Sequence, residues 1–146
     1  DTLNAKAAIY AAEASMQTVG RKVPLMLSVT VSDKSGRTLS GQTREAFLAS
    51  VAPADIFSLG LNCSFGAHDL IPFLQVLAHR SPYYISVYPN AGLPNSMGEY
   101  DQTPYQMAKE MKFFVDEGWV TIIGGCCGTR VSRRCWGLEG KDIASG

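Results

Sequence analysis

This chain has no excess of either charge. Thirteen Lys and Arg stand against thirteen Asp and Glu, for a formal net charge of zero. Without a basic excess or an acidic tail, nothing points to a nucleic-acid partner. No run of about eighteen apolar residues and no signal-peptide pattern is visible, so the sequence suggests neither a membrane span nor export, and a cytoplasmic location is expected. Cysteine is sparse, with four in 146 residues, at 63, 126, 127 and 135. That is too few for a secreted disulfide scaffold, and Cys126 and Cys127 are adjacent, which is poor geometry for pairing with each other. The expectation is reduced thiols. A phosphate loop of the G-x-x-x-x-G-K-[ST] kind is absent, and no G-x-G-x-x-G follows the first expected strand. What is present suffices for a core: 46% hydrophobic residues against 18% charged, a balance that disordered chains lack.

The elements alternate along the chain. Residues 3–18 read as an Ala-rich helix with Gly20 as its stop. Val23 to Val31 is short, apolar and β-branched, the pattern of a strand. Ser32 to Gln42 is a polar loop, and Thr43 can cap a helix in which Ala46, Phe47, Leu48 and Val51 form the apolar stripe. Ile56–Leu61 is the next strand, Asn62 to Gly66 a loop, and Leu70–His79 a helix with Pro72 tolerated in its first turn. Tyr83–Tyr88 is a strand, and Pro89 to Asp101 a loop. A helix capped by Thr103, with Pro104 first, buries Met107, Met111, Phe114 and Val115 and ends at Gly118. Trp119–Ile123 is the last strand.

The order βαβαβαβ implies a parallel α/β fold, and the central strands are apolar on nearly both parities, as strands covered on both faces are. Lacking nucleotide-binding signatures, a barrel is favoured over a doubly wound sheet. Four strands do not close an eight-stranded barrel, and the chain opens on the strand-end-like Asp1-Thr2-Leu3-Asn4. The expected architecture is a partial (β/α)8 TIM barrel, roughly its second half, with four parallel strands. The first and last strands should then be more exposed than the central two.

Polar and reactive residues cluster after the strands: Asn62 and Cys63 after one, Asn90 after the next, Cys126 and Cys127 after the last. C-terminal strand ends converge on one site in parallel α/β folds. Three thiolates from two strand ends suit Zn²⁺, and Gly124, Gly125 and Gly128 give the backbone freedom for adjacent cysteines to reach one ion. Three ligands leave a fourth position open, where a substrate thiol would lose its proton. The same positions also suit small buried hydrophobes, or a closed four-cysteine site completed by Cys135. His68, His79, Glu99 and Asp101 read as surface groups, the two acids lying within reach of a substrate. Trp119 reads as packing.

The motifs Gly60-Leu61-Asn62-Cys63-Ser64-Phe65-Gly66, Tyr88-Pro89-Asn90-Ala91-Gly92-Leu93-Pro94-Asn95 with Gly98-Glu99-Tyr100-Asp101, and Gly124-Gly125-Cys126-Cys127-Gly128-Thr129 occur in this order. With Asp1-Thr2-Leu3-Asn4-Ala5-Lys6-Ala7-Ala8 and Ser35-Gly36-Arg37-Thr38-Leu39-Ser40-Gly41-Gln42-Thr43, they resemble the homocysteine-binding domain of cobalamin-dependent methionine synthases over residues 1–129. The resemblance implies a (β/α)8 barrel with zinc on Cys63, Cys126 and Cys127. It further implies transfer of a methyl group from methylcobalamin to the homocysteine thiol, giving methionine, with the cobalamin and folate domains elsewhere in a full-length protein. The amino-acid end of homocysteine would be held by Asn90 and Asp1. Enzymes using betaine or S-methylmethionine share the cysteines but are expected to lack the Asn-Ala-Gly-Leu-Pro-Asn loop, and a zinc-binding fragment without turnover is a third reading. Residues 130–146, Cys135 among them, depart from the pattern and are expected to form a divergent, disordered tail without function.

Overall fold

A computed structural model describes residues 2–31, 49–51 and 54–130, the side chain of Ser64 excepted. The expected loop at 32–42, most of the helix capped by Thr43, and the tail beyond Arg130 lie outside the described residues. The chain forms α1 (Thr2–Val19), β1 (Leu25–Val29), a helical turn at 49–51, β2 (Ile56–Gly66), α2 (Ala67–Arg80), β3 (Tyr84–Asn90), α3 (Pro104–Asp116) and β4 (Ile122–Ile123). The strands form one parallel sheet in the order β1-β2-β3-β4. The α/β alternation read from the sequence is the one observed, as a portion of a barrel wall.

The register sorts the side chains by face. Leu27, Leu59 and Ile85 align across β1, β2 and β3, and so do Val29, Leu61 and Val87. These residues pack with Leu70, Leu74 and Leu77 of α2 and Met111 and Phe114 of α3 in one apolar cluster. Burying each such large side chain stabilises by roughly 1.5–3 kcal/mol. Ser28, Gly60 and Ser86 align in the alternate register. Here only a small residue fits. A Cβ on Gly60 would stand 2.8 Å from the Ser86 carbonyl carbon and closer still to its oxygens. Exposure rises towards the sheet edges: β1 alternates half-buried and exposed, with Met26 52% exposed, while Ile85, Ser86 and Val87 of β3 are buried. That is the pattern expected of an open sheet.

Local chemistry sets the element ends. Thr103 and Gln106 form a capping box at the start of α3, with Pro104 in the first turn, where its missing N–H costs nothing. The α1 helix stops at Gly20, whose N–H donates to Gln17 while that of Arg21 donates to Met16. Two differences from the sequence reading concern α2 and β4. The α2 helix begins at Ala67, not Leu70, so Pro72 falls inside it rather than in its first turn, and the i−4 bond to the carbonyl of residue 68 cannot form. Strand β4 is only two residues long. Trp119, expected to open that strand, lies before it, and it packs on Phe113 and Phe114 at centroid distances of 5.4 and 6.3 Å.

Candidate metal centre

The site lies where β2 and β3 end and the segment after β4 begins. From Asn62 to Gly66 strand β2 takes four residue steps while β3 takes two, from Tyr88 to Asn90. Two extra residues must leave the ladder, and such a bulge re-aims a side chain. Cys63 sits in it with φ of +56°, a conformation uncommon for any residue but glycine. Expected in a loop, Cys63 thus lies on an irregular extension of the strand. Asn62 turns the other way, accepting from Ser28 Oγ at 2.8 Å and donating to Thr30 Oγ1 at 3.2 Å.

The other two cysteines are held by β3. Backbone bonds extend to both sides of the short β4: Thr121 N–H to Ile85 before it, then Gly124 N–H to Val87, Cys126 N–H to Pro89, and Ala91 N–H to the Cys127 carbonyl, at 2.9–3.0 Å. Asn90, 5% exposed, accepts from the Cys127 N–H through Oδ1 at 3.2 Å. The turn closes with Thr129 N–H donating to the Cys126 carbonyl. Gly128 has φ of +74°, and a Cβ there would stand 2.7 Å from Tyr100 Cδ2 and closer to its Cβ and Cγ. Only glycine allows both that backbone and that approach.

The three sulfurs of Cys63, Cys126 and Cys127 lie within 4.8 Å of one another. Cys63 and Cys126 are joined as a disulfide with Cα atoms 5.7 Å apart, and the Cys127 sulfur is 3.9 Å from that of Cys126. The pairing differs from the reduced thiols expected. Its physical reason is the convergence of two strand ends, which brings sulfurs distant in sequence together. In reduced form this is a soft donor set from two elements. Tetrahedral ligation at about 2.3 Å places ligand sulfurs roughly 3.8 Å apart, so the residues present fit zinc. Tyr100 flanks the set: burial first, then the charge of Cys127 and a side-chain hydrogen bond with it, raise its phenol above the ordinary range.

Of the sequence-derived candidates, the structure brings Cys63, Cys126, Cys127 and Asn90 together. Asp1 and Cys135 lie outside the described residues. His68 and His79 are exposed on α2, outside the cysteine cluster. Asp101 accepts from Asn95 Nδ2 at 3.1 Å. Tyr100 stands in the sequence within the Gly98-Glu99-Tyr100-Asp101 motif, but no role is read for it there, because its contact with Gly128 is not a local signal. A cavity of about 810 Å³ is lined by Lys22, Asp55, Phe57 and Tyr84 among others, at the N-terminal ends of the strands. It is therefore at the opposite strand ends from the cysteines.

A family model described as homocysteine S-methyltransferase matches residues 1–133. Among solved structures, the metallated form of the homocysteine methyltransferase MmuM from Escherichia coli is similar, with a TM-score of 0.60 and 24% identity. The likeness covers 83% of this chain and 36% of that one. It supports the fold, and this chain spans little more than a third of that protein's length.

Proposed function

The chain belongs to the homocysteine S-methyltransferase family, and from that premise we propose that it is part of an enzyme that methylates the sulfur of homocysteine to give methionine. The observation that carries this reading is the meeting of three cysteine sulfurs from two strand ends. In the reduced protein Cys63, Cys126 and Cys127 would hold zinc. Bound there, zinc supplies one thing: it favours the ionised form of a thiol entering its open position. In the overall reaction the S–H proton is released, a sulfur–methyl bond forms and the donor–methyl bond breaks.

The chain's own residues position the partners. The Asn90 amide oxygen fixes the Cys127 backbone, and its amide nitrogen is offered to the substrate carboxylate. Asp1 is assigned to the substrate ammonium group by the family resemblance alone. Residues 1–129 carry the site, and 130–146 contribute nothing to it. The methyl donor is methylcobalamin, held with folate on other domains of a longer protein. That choice is supported by the Asn90-Ala91-Gly92-Leu93-Pro94-Asn95 loop and the Ser35 to Thr43 stretch. A cytoplasmic location belongs to the reading, because the thiols must stay reduced. Among the described residues no helix is long and apolar enough to cross a membrane.

The test is zinc content of the reduced full-length protein beside methionine formation from methylcobalamin, betaine and S-methylmethionine. Zinc with turnover on methylcobalamin alone is expected. Turnover on either of the other donors would reassign the donor. Zinc without turnover on any of the three would leave a zinc-binding module, and the catalytic reading would fall.

A further inference from the structure

The loop between β3 and α3 is built, not merely closed. Asn95 Oδ1 accepts from the N–H groups of Met97 and Glu99 at 2.9 and 3.0 Å. Its backbone exchanges bonds with Glu99 and Gly98, and its Nδ2 donates to Asp101. Side-chain–backbone bonds of this kind fold a turn without help from neighbours. At the far end Gln102 Nε2 donates to Glu110 of α3 at 2.8 Å. At the near end Ala91 N–H donates to Cys127 and Gly92 N–H to Asn90. A loop tethered at both ends and folded in its middle delivers Tyr100 to one place, its ring on Gly128.

We infer that Tyr100 is a positioning residue for Cys127: its ring seats the Gly128 turn, and its hydroxyl donates to the Cys127 sulfur. Two features of the site require such a group. Cys127 is exposed, unlike the half-buried Cys63 and Cys126, and its sulfur stands 3.9 Å from that of Cys126, so among the described residues its side chain is restrained by the turn, that neighbour and Tyr100. The Cys127 backbone is already fixed by Asn90 and Ala91, which leaves the sulfur itself to be aimed. A donor to a thiolate ligand draws electron density from the sulfur and restricts its rotation, as outer partners of metal ligands do. The inference rests on the zinc reading for its purpose but not for its geometry.

Tyr100→Phe tests it, because the ring stays on Gly128 and only the donor is lost. In the first arm the metal-free, reduced protein is alkylated with iodoacetamide well above the usual thiol range of about 8.5, where ionisation no longer limits the rate. The modification rate at Cys127 is read by peptide mass spectrometry, with Cys63 as the internal reference. Loss of the donor should raise the Cys127 rate about fivefold, the factor that one ordinary hydrogen bond is worth, and leave Cys63 unchanged. An unchanged Cys127 rate overturns the inference. In the second arm the protein is loaded with Co²⁺ and the sulfur-to-metal charge-transfer band is recorded. Tyr100→Phe should move the band to lower energy, and an unmoved band counts against the inference. A wild-type protein with no such band sinks the metal reading instead, and the alkylation arm still decides the role of Tyr100.

Discussion

Asn90→Ala separates a residue that builds the metal centre from one that only touches substrate. Asn90 is 5% exposed and its Oδ1 accepts the Cys127 N–H at 3.2 Å. Removing the acceptor orphans that N–H. A fully buried orphan would cost about 1–3 kcal/mol. The bond is only part-buried, so the lower end applies, about 1 kcal/mol. For a domain of this size that lowers the melting temperature by roughly 2–4 °C. The larger effect falls on the metal, because the freed turn no longer holds Cys127 against its partners. Loss of an outer-shell bond typically costs about 10–100-fold in affinity, and about 10-fold is expected for this single contact. The assay is a chelator-competition titration of the reduced protein with zinc, beside a thermal melt and the homocysteine KM. If zinc affinity and melting temperature match wild type while KM alone rises, Asn90 acts on substrate only and the positioning argument is refuted.

Other perturbations probe the remaining links. Cys126→Ala and Cys127→Ala should each abolish stoichiometric zinc, since two thiolates hold the ion too weakly, whereas Cys135→Ala should leave metal analysis unchanged. Gly128→Ala meets both a φ of +74° and the Tyr100 ring. Left-handed backbone alone costs roughly 1–2 kcal/mol, so a melting temperature lower by about 4 °C or more is expected; a neutral result would mean that the turn is not packed as described. Phe114→Ala empties a position 1% exposed in the cluster between helices and sheet, at a cost of about 3–5 kcal/mol, readable by denaturant unfolding.

Much of this architecture was legible in the sequence because its signals are local. Thr103, Pro104 and Gly118 mark the ends of α3 by capping and φ preference, and alternation of apolar strands with amphipathic helices dictates a parallel sheet. Convergence of Cys63 with Cys126 and Cys127 followed from topology alone. What was not legible depends on register across strands. The bulge that turns Cys63 sideways exists only because β2 has two more residues than β3 between paired positions. The Asn90 bond to Cys127 and the seat of Tyr100 on Gly128 join residues 37 and 28 positions apart, and no periodicity reports such pairs. The α2 start at Ala67 was missed because its N-cap, Gly66, makes no side-chain cap bond, leaving Asp69 in the first turn as the signal to read.

The most direct test of the central claim is X-ray absorption at the zinc edge of the reduced protein, with and without homocysteine. Three sulfur scatterers at about 2.3 Å are expected in its absence, with a lighter atom as the fourth ligand. Addition of homocysteine should raise the sulfur count to four. Three sulfurs with and without homocysteine would contradict the account, because the open position would then take no substrate thiol; four sulfurs before homocysteine is added would mean a closed structural site.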